Sequence, residues 1–321
     1  MIARRGLFGL GVAAMLGPLS GTARAQAWPT RPVRLVVPFP AATGTDIIAR
    51  FSRSPLEVAL GQPVVVDNKP GAAGMLGVEA VARAAPDGYV FGVCSPSNMV
   101  INQHLMRMPY DPATDVAPLS LFALLPSVLL VHPSVSATTL AELITWLKAN
   151  PETPFASPGV GTTQHLTGEL LMIDAGVKLL HVPHRNDASL ADVIAGRVPL
   201  LIQPVLSTLP LIRGGQLRPI AVATAKRVPQ LPDVPTFAET LPGFDAPTWV
   251  GYIAPARTPE PILDRLAQIL ADAARDPDIS SRVIEGGAVP VGSTRAEFAA
   301  FLRRETERWG KAAAAAGLKP A

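Results

Sequence analysis

Cysteine is almost absent from this 321-residue chain: Cys94 stands alone, so no intramolecular disulfide can form. Its place in the apolar run Tyr89-Val90-Phe91-Gly92-Val93-Cys94 reads as a buried structural thiol rather than a nucleophile. Charge is sparse too, at 17%, against 48% hydrophobic residues, a balance that suits a chain with a large core and argues against long disorder. The sequence lacks a Walker A motif, has no G-x-S-x-G beyond its first residues, and has no G-x-G-x-x-G after a strand. Those absences remove the usual phosphate, dinucleotide and nucleophile-elbow readings. No internal repeat of period 20 to 50 is present, and neither a collagen-like nor a coiled-coil pattern occurs.

An excess of basic charge is missing as well, once its position is considered. Lys and Arg number 28 against 25 Asp and Glu, and three of the 28 (Arg4, Arg5, Arg24) lie in the first 25 residues, which hold no acidic residue. The remaining chain balances at 25 against 25, leaving no electrostatic footprint for nucleic acid. The first residues read as a cleaved signal peptide over residues 1–25: Arg4-Arg5, the weakly polar run Leu7 to Leu19, then small residues at Ala23-Arg24-Ala25 or Ala25-Gln26-Ala27. The run is shorter than the roughly 20 residues a spanning helix needs and contains Gly and Pro. Arg4-Arg5-Gly6-Leu7-Phe8 partly matches a twin-arginine signal, so Sec and twin-arginine export both stand, with the periplasm as common destination.

After Trp28 the chain alternates β-rich apolar runs with helical stretches, the signature of an α/β protein. Strands are expected at Val33 to Val37, Val64 to Val66 and Tyr89 to Cys94, with helices at Asp46 to Leu60 (Ile47, Ile48, Phe51 and Val58 inward) and Leu76 to Ala84. The extended runs Leu119 to Leu125 and Val128 to Val131 lead to a second set. Its helices are expected at Thr139 to Ala149, Thr163 to Ala175, Ser189 to Ala195 and Thr208 to Arg213, and its strands at Leu179 to Val182, Pro199 to Ile202 and Pro219 to Thr224. A strand at Trp249 to Ala254 and helices at Pro261 to Ala274 and Arg295 to Ala316 return to the first set. The length exceeds a usual single domain, and the alternation divides it into one lobe of residues 28–126 plus 246–321 and a second of 127–245. The 34 prolines fall at element ends and turns and so read as punctuation.

Two loops carry the recognition signal. Val37-Pro38-Phe39-Pro40-Ala41-Ala42-Thr43-Gly44-Thr45-Asp46 leaves the first strand and opens a helix, and Thr43, Thr45 or Asp46 can cap that helix. Ser157-Pro158-Gly159-Val160-Gly161-Thr162-Thr163-Gln164-His165 does the same in the second lobe. Free N–H groups and the positive dipole end of each helix suit an anion such as a carboxylate. Ser95, Ser97 and Gln203 follow strands at the ends where open α/β sheets bind ligands. No nucleophile with its base and no metal cluster stands out. His181 and His184 are three apart on a strand end, where side chains alternate faces, and His165 with Glu169 reads as a surface pair or cap contact. The segment Arg303-Arg304-Glu305-Thr306-Glu307-Arg308 reads as a solvated helix face.

At these residues the chain resembles the Bug-type family, the extracytoplasmic receptors of tripartite tricarboxylate transporters. The likeness runs from Trp28 to the C-terminus and rests on Trp28-Pro29-Thr30-Arg31-Pro32-Val33-Arg34-Leu35-Val36-Val37-Pro38-Phe39, on Gly61-Gln62-Pro63-Val64-Val65-Val66-Asp67-Asn68-Lys69-Pro70-Gly71-Ala72, and on Ala85-Pro86-Asp87-Gly88-Tyr89. Leu180-His181-Val182-Pro183, Ala225-Lys226-Arg227, Leu231-Pro232-Asp233-Val234-Pro235-Thr236 and Pro242-Gly243-Phe244 extend it. The resemblance implies a two-lobed type II periplasmic-binding-protein fold, each lobe a mostly parallel sheet flanked by helices, that closes over a small organic carboxylate without catalysis. A monomer of two lobes fits the length, with no cofactor and no metal expected, and the resemblance implies that it hands its solute to tripartite-transporter membrane subunits. Carried over by position, ligand contacts would be Phe39, Ala42, Thr43, Gly44, Thr45, Asp46, Ser95 and Ser97 from one lobe. Gly159, Gly161, Thr162, Thr163 and Gln203 would supply the other.

The chain departs from the family in three of these places. Ala41-Ala42-Thr43 replaces the usual Pro-Gly-Gly, so side chains narrow the cleft or restrict the backbone. Gln203 replaces a common acidic residue, which removes a partner for a ligand ammonium and favours a carboxylate without a free amine. His184-Arg185 replaces Tyr-Lys. Two other functions fit the same residues: a periplasmic enzyme acting on a small carboxylate with His165 or His184 as base, and a sensor that signals through a membrane partner.

Overall fold

In the computed structural model, which describes residues 28–184 and 188–315, the chain builds two β-sheets with helices packed on them. The leader expected over residues 1–25, Arg185, and Ala316 of the last expected helix lie outside the described residues.

The first sheet begins with β1 (Val33–Val37), β2 (Val64–Asn68) and β3 (Val90–Cys94), three parallel strands with β1 in the middle. Their valines suit a pleated surface, where a branched Cβ packs well and loses little rotamer freedom. Helices α1 (Gly44–Leu60) and α2 (Met75–Ala82) make the crossovers. The buried stripe of α1 runs through Ile48, Ala49, Ser52, Leu56 and Leu60 at helical spacing. Val58, expected on that inner side, is 81% exposed, because it lies about 200° round the helix from Leu56.

β4 (Val116–Leu125) ends that half, and Pro126 alone separates it from β5 (Ser127–Val131) in the second sheet. There follow α3 (Leu140–Ala149), β6 (Thr153–Ser157), α4 (Thr163–Ala175), β7 (Leu179–Pro183), α5 (Ala188–Ile194), β8 (Leu200–Pro204), α6 (Val205–Arg213) and β9 (Arg218–Val222). The chain returns as β10 (Thr248–Pro255), inserted between β3 and β4, and finishes with α7 (Glu260–Arg275), α8 (Pro277–Glu285), β11 (Val289–Pro290) and α9 (Arg295–Ala315). The sheet orders are β11-β4-β10-β3-β1-β2 and β7-β6-β8-β5-β9.

The mixed α/β class stands, and the structure corrects only the proportion of parallel pairing. β1, β2 and β3 are mutually parallel, as are β6, β7 and β8, while β10 runs against β3 and β4, and β5 runs against β8 and β9. Connectivity is the cause. A chain that leaves one sheet at the end where its parallel strands terminate enters the other sheet travelling away from that end.

Three elements were not legible in the sequence: β6, α8 and the two-residue β11. β6 reads Thr-Pro-Phe-Ala-Ser, too short and too poor in branched residues to signal a strand, yet it sits between β7 and β8. Helix α8 follows α7 after only Asp276, whose carboxylate accepts the N–H groups of Asp278 and Ile279 at 3.1 Å each and restarts the helix. Cys94 is fully buried. Within the charge-rich segment of α9, Glu305 is buried rather than solvated, and its carboxylate accepts Trp309 Nε1–H at 3.3 Å.

Candidate functional site

The β1–α1 and β6–α4 loops are built alike. Each helix is capped by a threonine in extended backbone conformation, Thr43 and Thr162, whose hydroxyl accepts the N–H three residues on, from Asp46 and His165, at 3.3 Å in both cases. Each hydroxyl donates its proton to the carbonyl three residues back, Thr43 to Pro40 at 2.9 Å and Thr162 to Gly159 at 2.7 Å. The residue before each cap has positive φ, +67° at Ala42 and +75° at Gly161. Its N–H points to the third helical side chain, so that Ala42 donates to Asp46 Oδ2 at 2.9 Å and Gly161 to His165 Nδ1 at 3.3 Å. The arrangement holds the loop without using the N–H groups of the first two helical residues. Gly44 and Thr45 in one loop, and Thr163 and Gln164 in the other, donate to no acceptor among the described residues.

These two loops bound one cavity of about 970 Å³ between the sheets. Of the residues expected to contact a ligand, Phe39, Ala42, Thr43, Gly44 and Thr45 line it from the first loop, and Ser95 and Ser97 from the end of β3. Gly159, Thr162 and Thr163 line it from the second loop, and Gln203 from β8. Asp46 and Gly161 do not. The Asp46 carboxylate is buried behind its loop, where Arg50 Nε at 2.8 Å and Asn68 Nδ2 at 2.8 Å join the Ala42 N–H. Burial alone would raise its pKa, but these donors prevail and hold it below the usual carboxylate value. Gly161 turns its α-carbon toward Asn102 of the other half.

Several of the lining hydroxyls are already committed. Ser97 donates to the Ala73 carbonyl at 3.0 Å. Ser95 accepts from Asn98 Nδ2 at 3.1 Å, so its own proton is directed to Ser97 Oγ at 2.9 Å. With Thr43 and Thr162 spent on loop carbonyls, the donors left to the cavity include the four helix-end N–H groups, the hydroxyls of Thr45, Thr163 and Thr248, and the Gln203 amide, whose contact to Ser189 Oγ is long at 3.4 Å. No Asp, Glu, Lys or Arg lines the cavity among the described residues.

Sequence reasoning passed over a third loop, Pro70 to Gly74 after β2, which lines the same cavity. Gly71, Ala72, Ala73 and Gly74 all have positive φ, and a Cβ on Gly74 would lie 2.5 Å from Asn98 Nδ2 and 3.1 Å from the Phe39 ring. The glycine pair at the C-terminal end of a parallel strand was the signal that could have found it. Thr248 was also missed: it opens an antiparallel strand, so no rule about strand C-termini reaches it. His184 lines the cavity, with Nδ1 3.0 Å from the Val182 carbonyl and Nε2 2.7 Å from Asp192. His181 points elsewhere, as alternation along a strand requires. The His165–Glu169 contact, 3.2 Å long, is not a surface pair, since His165 is buried and serves the cap through Gly161.

The family model for the tripartite tricarboxylate transporter family receptor matches residues 48–318. A protein of Pseudomonas sp. (strain P51), the UPF0065 protein in the tcbD-tcbE intergenic region, is 38% identical over 312 residues, which are 96% of this chain and 93% of that one. Among solved structures, Rpa4515 of R. palustris with adipate superposes with a TM-score of 0.89 at 36% identity, covering 92% of this chain and all of that one. The periplasmic binding protein BugD superposes with a TM-score of 0.87 at 31% identity, with 92% of this chain and 100% of that one covered.

Proposed function

This chain belongs to the tripartite tricarboxylate transporter receptor family, and on that premise we propose that it captures one small organic carboxylate in the cavity between its two sheets, in the periplasm, and delivers it to transporter membrane subunits. The reading takes residues 1–25 as a cleaved leader, residues 28–126 with 246–321 as one lobe, and 127–245 as the other. The strands of the two sheets come from within those bounds, and the chain passes between sheets at Pro126 and between β9 and β10. A rotation about these two crossings would open and close the cavity. The receptor acts as a monomer without cofactor or metal and leaves its ligand chemically unchanged.

One observation carries the proposal: two helix N-termini from opposite halves bring four uncommitted N–H groups to one cavity. An N–H pair at a helix end stabilises an anion through both hydrogen bonding and the dipole, and here two such ends share one ligand. A carboxylate placed between Gly44 and Thr45 on one side and Thr163 and Gln164 on the other would tie the halves together. Among the eleven expected contacts that line the cavity, the backbone of these loops, with the Thr45 and Thr163 hydroxyls, does the binding. Thr43, Thr162, Ser95 and Ser97 shape the walls. Asp46 and Gly161 act behind them.

The lining also argues for the type of acid. The described lining residues hold no acidic side chain to pair with an ammonium, which supports a carboxylate without a free amine. Phe39, Met75, Met106, Val160 and Leu190 offer apolar surface, and the volume lies at the upper end of ordinary ligand pockets, near 1,000 Å³. A linear or ring-bearing acid with a hydrocarbon body, such as the adipate held by the R. palustris protein, suits that lining. The test is thermal unfolding and calorimetry of the mature protein, stripped of ligand, against adipate, malate, benzoate, hexanoate, glutamate and aspartate. A stabilising shift with a nitrogen-free acid is expected. Tight glutamate or aspartate binding would overturn the amine-free reading, and silence across the panel would overturn carboxylate capture.

A further inference from the structure

Asn102 lies in the segment between β3 and β4, in the half that carries the first loop, and it is completely buried. Both polar atoms of its carboxamide, Oδ1 and Nδ2, lack a hydrogen-bond partner among the described residues. Part of what covers them comes from the opposite half. A Cβ built on Gly161 would stand 2.3 Å from Asn102 Oδ1, 3.1 Å from Cγ and 3.3 Å from Nδ2, so the backbone of the second loop lies directly against the amide. The Gly161 N–H cannot serve the amide because it is directed at His165 Nδ1. The contact thus joins the two halves through a polar group that neither half satisfies.

A primary amide removed from water without partners is strongly disfavoured, and the same amide facing solvent is fully hydrogen-bonded. Separating the halves would remove the Gly161 backbone from Asn102 and rehydrate the carboxamide. We infer that Asn102 is a closure brake: it makes the closed arrangement unfavourable for the empty protein, so that closing is driven only by the bonds a ligand adds at the two helix ends. This deepens the receptor reading, on which it rests for its purpose, since a receptor that stays open when empty presents its membrane partner with a closed form only when loaded. In population terms, a ligand shifts the equilibrium by its differential affinity for the two forms, and the brake sets how much of that affinity closure consumes. Gly161 is part of the same device. Any side chain there would collide with the amide, so the position admits only the residue that lets the halves meet.

The test compares the wild-type mature protein with Asn102→Leu, which keeps the shape and removes the polarity, and with Asn102→Ala, which guards against a packing fault in the first variant. Small-angle scattering is recorded without ligand and with adipate, and affinity is measured by calorimetry. The expected result is a wild-type protein that is expanded when empty and contracts with adipate, and variants that are already contracted when empty and bind adipate at least threefold more tightly. Equal empty-state scattering of the wild type and both folded variants overturns the brake, whatever ligand the protein takes. If the wild type binds none of the acids, the carboxylate reading falls, while the scattering of the empty proteins still decides the brake by itself.

Discussion

Ser157 Oγ and His181 Nε2 stand 2.6 Å apart beneath the second loop, and the same hydroxyl accepts the Gly159 N–H at 3.1 Å. The His181 ring is stacked between Phe155, with centroids 4.9 Å apart, and His165, at 3.9 Å. Burial, together with the neighbouring His165 and His184, pushes the His181 pKa down to about 4, with Glu169 opposing. The unfolded chain takes up this proton near pH 6.5 and the folded chain near 4, so the unfolded state holds more protons between those values. Stability from this group is therefore full above pH 6.5 and falls as the pH drops toward 4. Thermal midpoints from pH 7.5 to 4.5 are expected to decline in the wild type and to decline less steeply in His181→Asn. Parallel pH profiles would show that the buried ring does not set the slope.

Thr162→Ala removes both the cap on α4 and the bond to Gly159. A lost cap costs about 1 kcal/mol, so urea unfolding is expected to show a loss of that order, with Thr162→Ser close to the wild type. Carboxylate affinity is expected to fall with it by roughly a factor of five or more, that energy being lost through a disordered loop. An alanine variant of unchanged stability and affinity would show that the loop needs no cap.

Ala42 holds a left-handed backbone, φ +67°, where a Cβ is disfavoured by about 1 kcal/mol or more. Ala42→Gly should therefore be neutral or stabilising by up to about 1 kcal/mol despite the greater freedom of the unfolded chain. Ala49→Gly, inside α1, should cost at least about 1 kcal/mol because it also empties a buried site. The two denaturation curves, moving in opposite directions or one staying still, check the strain.

Cys94 is fully buried and its thiol pKa is raised, chiefly by loss of hydration, against a backbone donor at Gly251. Thiol-specific reagents at pH 8 are expected to leave the folded protein unmodified and to react with one equivalent in denaturant. Rapid labelling of the native protein would place the thiol at the surface.

Much of this was written in local chemistry. Branched runs such as Val33-Arg34-Leu35-Val36-Val37 announce strands, and threonine before Gly44 or before Thr163 announces a helix start, because φ/ψ preference and capping are settled by a few neighbouring residues. The two capped loops that line the cavity were legible for that reason. The sequence by itself also determined that each of these helices starts on free N–H groups, which suit an anion.

Tertiary structure decided the rest. Whether Asp46 faces a ligand or a loop depends on Asn68 and Arg50, brought to it by strand pairing and helix phase, and nothing in the segment around Asp46 reveals them. The free or spent state of each hydroxyl depended on carbonyls as distant as Ala73 is from Ser97. The antiparallel placement of β10 brought Thr248 to the cavity from 44 residues after Pro204. The contact of Asn102 with Gly161 exists only because two sheets, joined through two crossings, close on one another. Local sequence sets torsions and caps at short range, whereas which polar groups lose water and find no partner is a property of surfaces that meet only when the whole chain has folded.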